Sequence, residues 1–476
     1  MLLKYFYDPA LAHASYLVGC QRTGQALVID PGRDVDGYIA TAQEQGLKIV
    51  GAAETHIHAD FVSGSRELAD RVGATLYLSD EGPADWKYQY ISKHQVQLLR
   101  DGDVFGVGNV QLKVMHTPGH TPEHISFVLT DRGSGASEPM GIFTGDFVFV
   151  GSIGRPDLLE TAAGVVGSAE VGARQLFHSI KKFLALPDFL QVWPAHGAGS
   201  ACGKGLGAIP SSTVGYEKLF NPALQIRSEQ AFVDYILDDQ PETPPYFAVM
   251  KRVNKVGPQL IRELSAVSRL NMEQLVEAKG TRLVIDTSPA ALYAQKSIPQ
   301  TINIPATQLA QWSGFFVDDG EPVLLISNAE GLPAQLKALR SIGIDNIQGY
   351  FDRSELEQSD LAKGAYRSIS PTELKELMEN HSIELLDVRS AHEFAEEHIE
   401  GATHAFLGGL RKSSKTLSPD ETFVVQCQAG GRSAIAASLL SRSGLKVLNL
   451  AGGLNAWKRA NLPVVHPSMD QHVVGA

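Results

Sequence analysis

Short apolar runs, each stopped by polar or turn residues, organise the first half of the chain. Ala26-Leu27-Val28-Ile29 stops at Asp30-Pro31-Gly32, which carries turn chemistry. Ile49-Val50-Gly51-Ala52-Ala53 reads as a buried strand and runs into the loop Thr55-His56-Ile57-His58-Ala59-Asp60-Phe61. A helix is predicted next, opening at Ser63 or Ser65, carrying Glu67-Leu68-Ala69-Asp70 and leaving at Gly73. Val110-Gln111-Leu112-Lys113-Val114 alternates like a half-buried strand and leads to His116-Thr117-Pro118-Gly119-His120-Thr121-Pro122. Gly141-Ile142-Phe143-Thr144-Gly145-Asp146 is a strand ending in a carboxylate, with Gly154-Arg155-Pro156-Asp157 beyond it. Phe189-Leu190-Gln191-Val192-Trp193-Pro194-Ala195-His196 is another strand, ending in a histidine. Four strand ends therefore deliver His56, His58 and Asp60, then His120, Asp146 and His196. A strand end fixes the backbone while the loop turns side chains inward, which suits a metal site.

The pattern changes after Pro241-Glu242-Thr243-Pro244-Pro245, and a bracing segment containing Asn254-Lys255-Val256-Gly257-Pro258 is predicted to about Leu264. A repeat follows. Leu283-Val284-Ile285-Asp286-Thr287 matches Leu385-Leu386-Asp387-Val388-Arg389, and Ser297-Ile298-Pro299-Gln300-Thr301 parallels His398-Ile399-Glu400-Gly401-Ala402. Val323-Leu324-Leu325-Ile326-Ser327 parallels Phe423-Val424-Val425-Gln426-Cys427. Each copy alternates strands with helices, the signature of a parallel sheet. Three domains are expected, at residues 1–250, 266–355 and 366–470. Where the second copy has Cys427, the first has Ser327 or Asn328 followed by Ala329-Glu330-Gly331-Leu332, without thiol or arginine. The first copy is therefore expected to be inactive, either packing the working modules together or forming a subunit interface. A homo-oligomer is expected.

Composition narrows the partners. The 476 residues carry a formal net charge of −12 and no Lys/Arg block, which argues against nucleic acid and anionic membrane. No apolar run is long enough to span a bilayer, and the first residues lack the apolar core of a signal peptide. Three cysteines, Cys20, Cys202 and Cys427, cannot form a disulfide framework, so a reducing cytoplasm is the expected home.

His56-x-His58-x-Asp60 is the signature of the metallo-β-lactamase fold, an αββα sandwich. Its two-metal hydrolases usually have a further histidine at the position held here by Phe61. A phenyl ring cannot ligate, so a second ion lacks a donor and one metal is expected. The simplest site is then His56, His120 and Asp146, a two-His-one-carboxylate face that suits Fe(II) because it leaves positions open for substrate and O2. His58, Asp60 and His196 become groups that orient ligands or substrate. Direct ligation by His58 is the alternative, and His116 and His124 are read as structural.

Two loops carry thiols. Gly199-Ser200-Ala201-Cys202-Gly203-Lys204-Gly205-Leu206-Gly207 sets a cysteine beside a lysine in a flexible loop, open to three readings. Its N–H groups can approach an anion, Cys202 can relay sulfur with Lys204 favouring its thiolate, or Cys202 is simply a small residue in a tight loop. Cys20 reads as core. Cys427-Gln428-Ala429-Gly430-Gly431-Arg432-Ser433 follows a buried strand and feeds a helix at Ala434-Ile435-Ala436-Ala437-Ser438-Leu439-Leu440. Converging N–H groups and the helix dipole favour a thiolate there, and Arg432 can pair with a sulfur oxyanion.

The motifs THIHADF, HTPGHTPEH, FTGDFVFVGSIGRPD and WPAHGAGSACGK resemble those of the persulfide dioxygenases, and above all their bacterial multidomain members with rhodanese modules behind the dioxygenase. The loop at Cys427, with Leu386-Asp387-Val388-Arg389, Glu393-Phe394 and Ala451-Gly452-Gly453-Leu454-Asn455-Ala456-Trp457, resembles the active loop and frame of a rhodanese. Asp387 and Arg389 are expected to brace that loop. The resemblance implies one Fe(II) per chain, held by His56, His120 and Asp146, with Arg155 near the thiol carrier. It implies oxidation of a low-molecular-weight thiol persulfide by O2 to sulfite. Cys427, as the nucleophile, then passes sulfur from a second persulfide to sulfite, giving thiosulfate, or runs the reverse step to feed the dioxygenase. Fusion raises the effective concentration of sulfite at the second site. The rival reading is a zinc-dependent thioester hydrolase of the glyoxalase II kind fused to a rhodanese.

Overall fold

The computed structural model describes residues 1–158, 160, 167–238, 240–356, 359–380 and 383–467. The last three positions of the expected 366–470 module lie outside the described residues. The chain divides into two compact units: Met1–Leu264 with Arg340–Gly343, and Ser265–Leu339 with Ile344–Ala476. Among the described residues no helix is long and apolar enough to cross a membrane.

The first unit is built on two six-stranded sheets. One runs β1 (Leu2–Asp8), β2 (His13–Cys20), β3 (Gln25–Ile29), β4 (Lys48–Ala53), β5 (Thr75–Ser79) and β6 (Val96–Leu99) in spatial order. The other contains β7 (Val104–Val107), β8 (Val110–His116), β9 (Ile125–Asp131) and β10 (Gly141–Gly145). A small hairpin of β11 (Val148–Phe149) and β12 (Ser152–Ile153) intervenes before β13 (Gln191–Pro194) and β14 (Ser212–Thr213) complete that sheet in the order β14-β13-β10-β9-β8-β7.

Alternation along the strands sorts the side chains into layers. Tyr16, Val18, Leu27, Ile29, Phe143 and Trp193 join Leu112 and Phe127 between the sheets. Leu17, Ala26 and Val28 face the other way, onto Tyr38 and Leu68 of the helices Asp36–Glu44 and Ser65–Val72. Ile142 and Val192 likewise face Leu176, Phe183 and Phe232 of the helices Ser168–Leu184 and Glu229–Leu237. The result is the expected αββα sandwich. Of the two helix starts, Ser65 is the observed one, and Gly73 ends that helix at φ +70°, where a side chain is costly.

Strand direction gathers the site. β3 and β4 are parallel, with Ile29 opposite Ala53, so Asp30 and the histidine loop leave the sheet side by side. β10 and β13 are also parallel, with Gly145 opposite Pro194, which sets Asp146 beside His196. Ile125 N–H donates to the Thr55 carbonyl at 2.8 Å and Ala14 N–H to the Ala195 carbonyl at 2.7 Å, closing the two sheets on each other at this edge.

The second unit holds two five-stranded sheets of the same topology. β15 (Ser268–Leu270), β16 (Leu283–Asp286), β17 (Ile302–Asn303), β18 (Val323–Ser327) and β19 (Ile347–Asp352) take the order β15-β19-β18-β16-β17. β20 (Arg367–Ile369), β21 (Glu384–Asp387), β22 (Thr403–His404), β23 (Thr422–Gln426) and β24 (Lys446–Leu450) take the matching order β20-β24-β23-β21-β22. All pairings in both sheets are parallel. Asp286 opposes Ile326 and Asp387 opposes Gln426, so register places Ser327, not Asn328, where the second copy has Cys427.

The helix Gly431–Arg442 is buried at every position from Ser433 to Leu440. An apolar helix with no polar face needs cover on all sides. The first copy provides part of it, where Asn303 N–H donates to Ser438 Oγ at 2.9 Å; beside the helix, Arg411 pairs with Glu321 at 3.1 Å and Phe315 meets Phe406 at 5.9 Å between ring centroids. The thiol-less copy thus packs on the second copy within this unit.

Candidate metal centre and thiol site

His56, His120 and Asp146 converge, with one donor atom from each lying within 4.8 Å of the others. His120 Nε2 is 3.4 Å and His56 Nε2 3.9 Å from Asp146 Oδ2. All three residues are at least 98 % buried, so no water shell screens them.

Hydrogen bonding fixes which ring nitrogen faces inward. The Thr55 hydroxyl spends its one proton on Asp30 Oδ2 at 2.9 Å, so it accepts from His56 Nδ1, also at 2.9 Å. His120 Nδ1 donates to the Arg155 carbonyl at 2.9 Å, and His196 Nδ1 to the Ala12 carbonyl at 3.1 Å. The Nε2 of His56 and of His120 is therefore a bare lone pair aimed at the Asp146 carboxylate. Burial, followed by the neighbouring imidazoles, pushes His56 well below the usual histidine range, and burial likewise lowers His120. His56 Nε2 and both Asp146 oxygens have no hydrogen-bond partner. Buried acceptors facing acceptors are costly without a cation, and a two-imidazole, one-carboxylate face fits Fe(II) or another divalent ion.

His58 is not part of this group. Its Nε2 lies 3.1 Å from Asp30 Oδ1, and although burial works against its charge, Asp30 outweighs it and lifts the imidazole to about 9. Asp30 thus holds Thr55 and His58 together beneath the centre, while adopting φ +49°, a strained value for a non-glycine residue. His124 is structural, as expected: its Nε2 accepts the Asp146 N–H at 3.1 Å, which orients the carboxylate from behind. Phe61 is fully buried, its ring 3.9 Å from His13 and 4.4 Å from His58 between centroids. Thr55, Asp30 and His13 were not singled out by the motif spacing. Asp30 carried a usable signal, a carboxylate ending the strand parallel to the one that delivers His56.

Asp60 and His196 do not simply support the first group. With Cys202 they form a second convergence, again with donor atoms within 4.8 Å of one another. His196 Nε2 is 3.2 Å from Asp60 Oδ2 and 3.4 Å from Asp146 Oδ1. Of the three readings left open for the Cys202 loop, the fold does not offer the lysine-assisted thiolate. Lys204 Nζ donates to the carbonyls of Tyr235 at 2.9 Å and Asp238 at 2.6 Å, and burial, with Asp60 and Asp146 close by, pushes the thiol well up.

Arg155 also takes a role other than the expected substrate contact. It is 99 % buried and gives all five guanidinium donors to protein: Asp157, Ala201, Pro241 and Thr243. Its own N–H donates to the Cys202 carbonyl at 3.1 Å while its carbonyl holds His120. One residue thereby clamps a member of each group. Arg155→Lys keeps the charge but loses the fork, and is expected to weaken metal binding by about 10- to 100-fold, read by competition with a chelator.

At the other thiol, Cys427 is buried in the turn between β23 and its helix. Gly430, at φ +97°, donates its N–H to Sγ at 3.1 Å, and Ser433 Oγ is 3.5 Å away. Gln428, Ala429, Gly430 and Gly431 form the rest of the loop. Arg389 braces it as expected, paired with Asp387 at 2.7 Å and donating to Gln428 Oε1 at 3.1 Å. Arg432 is not waiting free for an anion: it makes a two-pronged pair with Glu393 at 2.6 and 2.7 Å. Burial tends to raise Glu393, but Arg432 outweighs it and holds the carboxyl at about 2, so the pair is lost only as pH falls toward that value. Glu393→Gln is expected to lower the KM for a sulfur oxyanion donor several-fold at neutral pH, measured by steady-state thiosulfate–cyanide transfer.

The metallo-β-lactamase superfamily matches residues 8–196, and the rhodanese-like domain family matches residues 370–460. A solved metallo-β-lactamase structure from Staphylococcus aureus subsp. aureus COL is 44 % identical, covering 74 % of this chain and 99 % of that one with a TM-score of 0.67. The chain belongs to the metallo-β-lactamase superfamily. It joins that fold to a C-terminal rhodanese-like domain. The mitochondrial persulfide dioxygenase ETHE1 of Bos taurus is 29 % identical over 235 residues, 48 % of this chain and 78 % of its own length. A β-lactamase hydrolase-like protein of Xylella fastidiosa (strain 9a5c) is 31 % identical over 252 residues, and the chain spans about half of that relative, 53 %.

Proposed function

We propose that the first unit is a persulfide dioxygenase and the C-terminal module a sulfurtransferase that consumes its product. The observation that carries this reading is the buried His56, His120 and Asp146 face, joined in one chain to a cysteine seated in a rhodanese-like loop. Similarity to persulfide dioxygenases across the first unit supports the same chemistry. The first reaction is RSSH + O2 + H2O → RSH + sulfite + 2 H+. The sulfane sulfur loses four electrons and O2 takes them up.

His56 Nε2, His120 Nε2 and an Asp146 oxygen are the atoms that would hold one Fe(II), which when bound supplies the one-electron chemistry that O2 requires. The chain's own residues prepare that place. Thr55 and the carbonyl of Arg155 fix the two imidazoles in the tautomer that presents a bare Nε2. His124 holds the carboxylate, and the apolar group Phe149, Leu158 and Phe247 excludes water beside Cys202.

In the second reaction the Cys427 thiolate attacks a sulfane sulfur, and the donor's thiolate leaves. Sulfite then attacks the outer sulfur of the Cys427 persulfide, releasing thiosulfate and restoring the thiolate. Gly430 N–H stabilises charge on sulfur, and Arg432 is shared between Glu393 and the oxyanion. Residues 266–355 act as an inactive spacer packed on the transferase, and the chain works in the reducing cytoplasm as a homo-oligomer. The transfer can also run from thiosulfate toward persulfide.

A zinc thioester hydrolase is the second reading, favoured by the Asp60, His196 and Cys202 convergence, because adjacent donor sets around one carboxylate suit two-metal hydrolysis. Oxygen consumption by the iron-loaded chain given glutathione persulfide, with sulfite and thiosulfate quantified, decides between them. Uptake with these products is expected; no uptake with any thiol persulfide, alongside thioester cleavage by the zinc-loaded chain, overturns the dioxygenase.

A further inference from the structure

Between Glu54 and Val62 the stretch that carries His56 forms neither strand nor helix, so its backbone groups need partners from elsewhere. Side chains supply them. Asp30 Oδ1 accepts the Thr55 N–H at 2.7 Å, and Glu123 Oε1 accepts the Ile57 N–H at 2.8 Å. Farther along, one residue 191 to 196 positions away holds three more groups. Asn254 Nδ2 donates to the His58 carbonyl at 2.8 Å and to the Phe61 carbonyl at 2.7 Å, and its Oδ1 accepts the Ser63 N–H at 2.9 Å. The carbonyls can only accept and the N–H can only donate, so one orientation of the amide serves all three. His58 and Phe61 flank Asp60, so the stretch that carries this carboxylate is pinned at both ends.

The helix that brings Asn254, Phe247–Val256, belongs to the segment predicted as a brace. Its buried positions are Phe247, Met250 and Asn254, spaced three and seven apart on one face. Phe247 packs with Phe149, Leu158 and Cys202, so the same face meets the site at two points. Asparagine is a poor helix former and a buried amide is costly unless bonded, so packing alone would place an apolar residue here. The helix is tied from its far side as well. Gln89 N–H donates to the Lys255 carbonyl at 2.8 Å, and Lys255 Nζ to the Asp85 carbonyl at 3.1 Å. It stops at Gly257, φ +97°, where a side chain would come within 2.6 Å of Tyr90 Cβ.

We propose that Asn254 is a positioning residue of the metal centre, holding the His56 loop in its binding shape before a cation arrives. A loop that is already ordered spares the entropy cost of ordering it when the ion binds. The three bonds of Asn254 all go to loop backbone, so it acts through the chain that delivers the ligand, as groups behind a metal shell commonly do. The proposal rests on the His56, His120 and Asp146 centre binding a divalent ion, and not on which reaction follows.

The test titrates Co2+ into the metal-free full chain against a chromophoric chelator, for wild type, Asn254→Ala and Asn221→Ala. Asn221 is a matched control, a fully buried asparagine of the same unit bonded to the Ser152 carbonyl, Glu217 and the Ala223 N–H. Both variants should lower Tm to a similar extent, since each removes three hydrogen bonds. Only Asn254→Ala is expected to weaken the tightest Co2+ by about tenfold or more and to alter its visible d–d bands, which report ligand geometry. Asn254→Asp, which keeps an acceptor for Ser63 but offers no amide N–H to the carbonyls, is expected to follow Asn254→Ala. The wild type gives a reading without any substitution: in the metal-free chain the Ile57 and Ser63 amides are expected to resist hydrogen exchange. Co2+ affinity of Asn254→Ala within about twofold of wild type, an equal loss in Asn221→Ala, or metal-free loop amides exchanging at the solvent rate overturns the proposal. A wild type that takes up no Co2+ overturns the metal centre itself, and this proposal with it.

Discussion

Replacing Cys427 by serine is expected to reduce sulfur transfer by roughly a thousandfold or more, the scale of losing a catalytic nucleophile, while oxygen uptake with a thiol persulfide continues. A serine hydroxyl at that position receives the Gly430 N–H as the sulfur does, but it cannot form a persulfide. The fold should be indifferent, since the substitution is nearly isosteric and the loop is held by Arg389, Gln428 and the Leu454 N–H to the Cys427 carbonyl at 2.8 Å. With transfer blocked, sulfite accumulates in place of thiosulfate. Thiosulfate–cyanide transfer and oxygen-electrode traces on the same preparation separate the two steps. Loss of both activities would mean that the first site turns over only when the second removes its product.

Replacing Asp146 by alanine is expected to have the opposite pattern. Its carboxylate lies within 3.4 Å of both His120 and His196 and is also aimed at by His56. Three buried imidazoles would be left around a void, so metal affinity should drop by several orders of magnitude and oxygen uptake with it. Thiosulfate-dependent transfer at Cys427 should persist, because its sulfur is held by Gly430 and Ser433 of its own module. Iron content by elemental analysis is the direct readout. Unchanged iron would remove His56, His120 and Asp146 as the ligand set, whatever happened to activity.

The positions of the chemistry were legible because strands stop where apolar runs stop. Asp30, the His56 loop, His120, Asp146 and His196 each end or follow a run that must be buried, and a buried run has few ways to pair. The duplicated α/β unit was legible for the same reason, since Asp286 and Asp387 close equivalent central strands. Which of Ser327 and Asn328 stands for Cys427 needed the register, because a one-residue offset changes nothing in the apolar pattern but reverses every side chain.

What the sequence determined by itself is therefore the local order: strands, their ends, and the residue types waiting there. Tertiary structure decided what those residues meet. Lys204 follows Cys202 closely in sequence yet pairs with carbonyls of a distant helix, and Arg155 turns from the expected substrate to clamp the Cys202 loop. Arg432 finds Glu393 across the module, and Cys202 arrives beside Asp60 and His196. Each of these is a long-range partner choice made by side chains whose local pattern permits several. Burial then selects the arrangement that leaves the fewest charges and lone pairs unanswered.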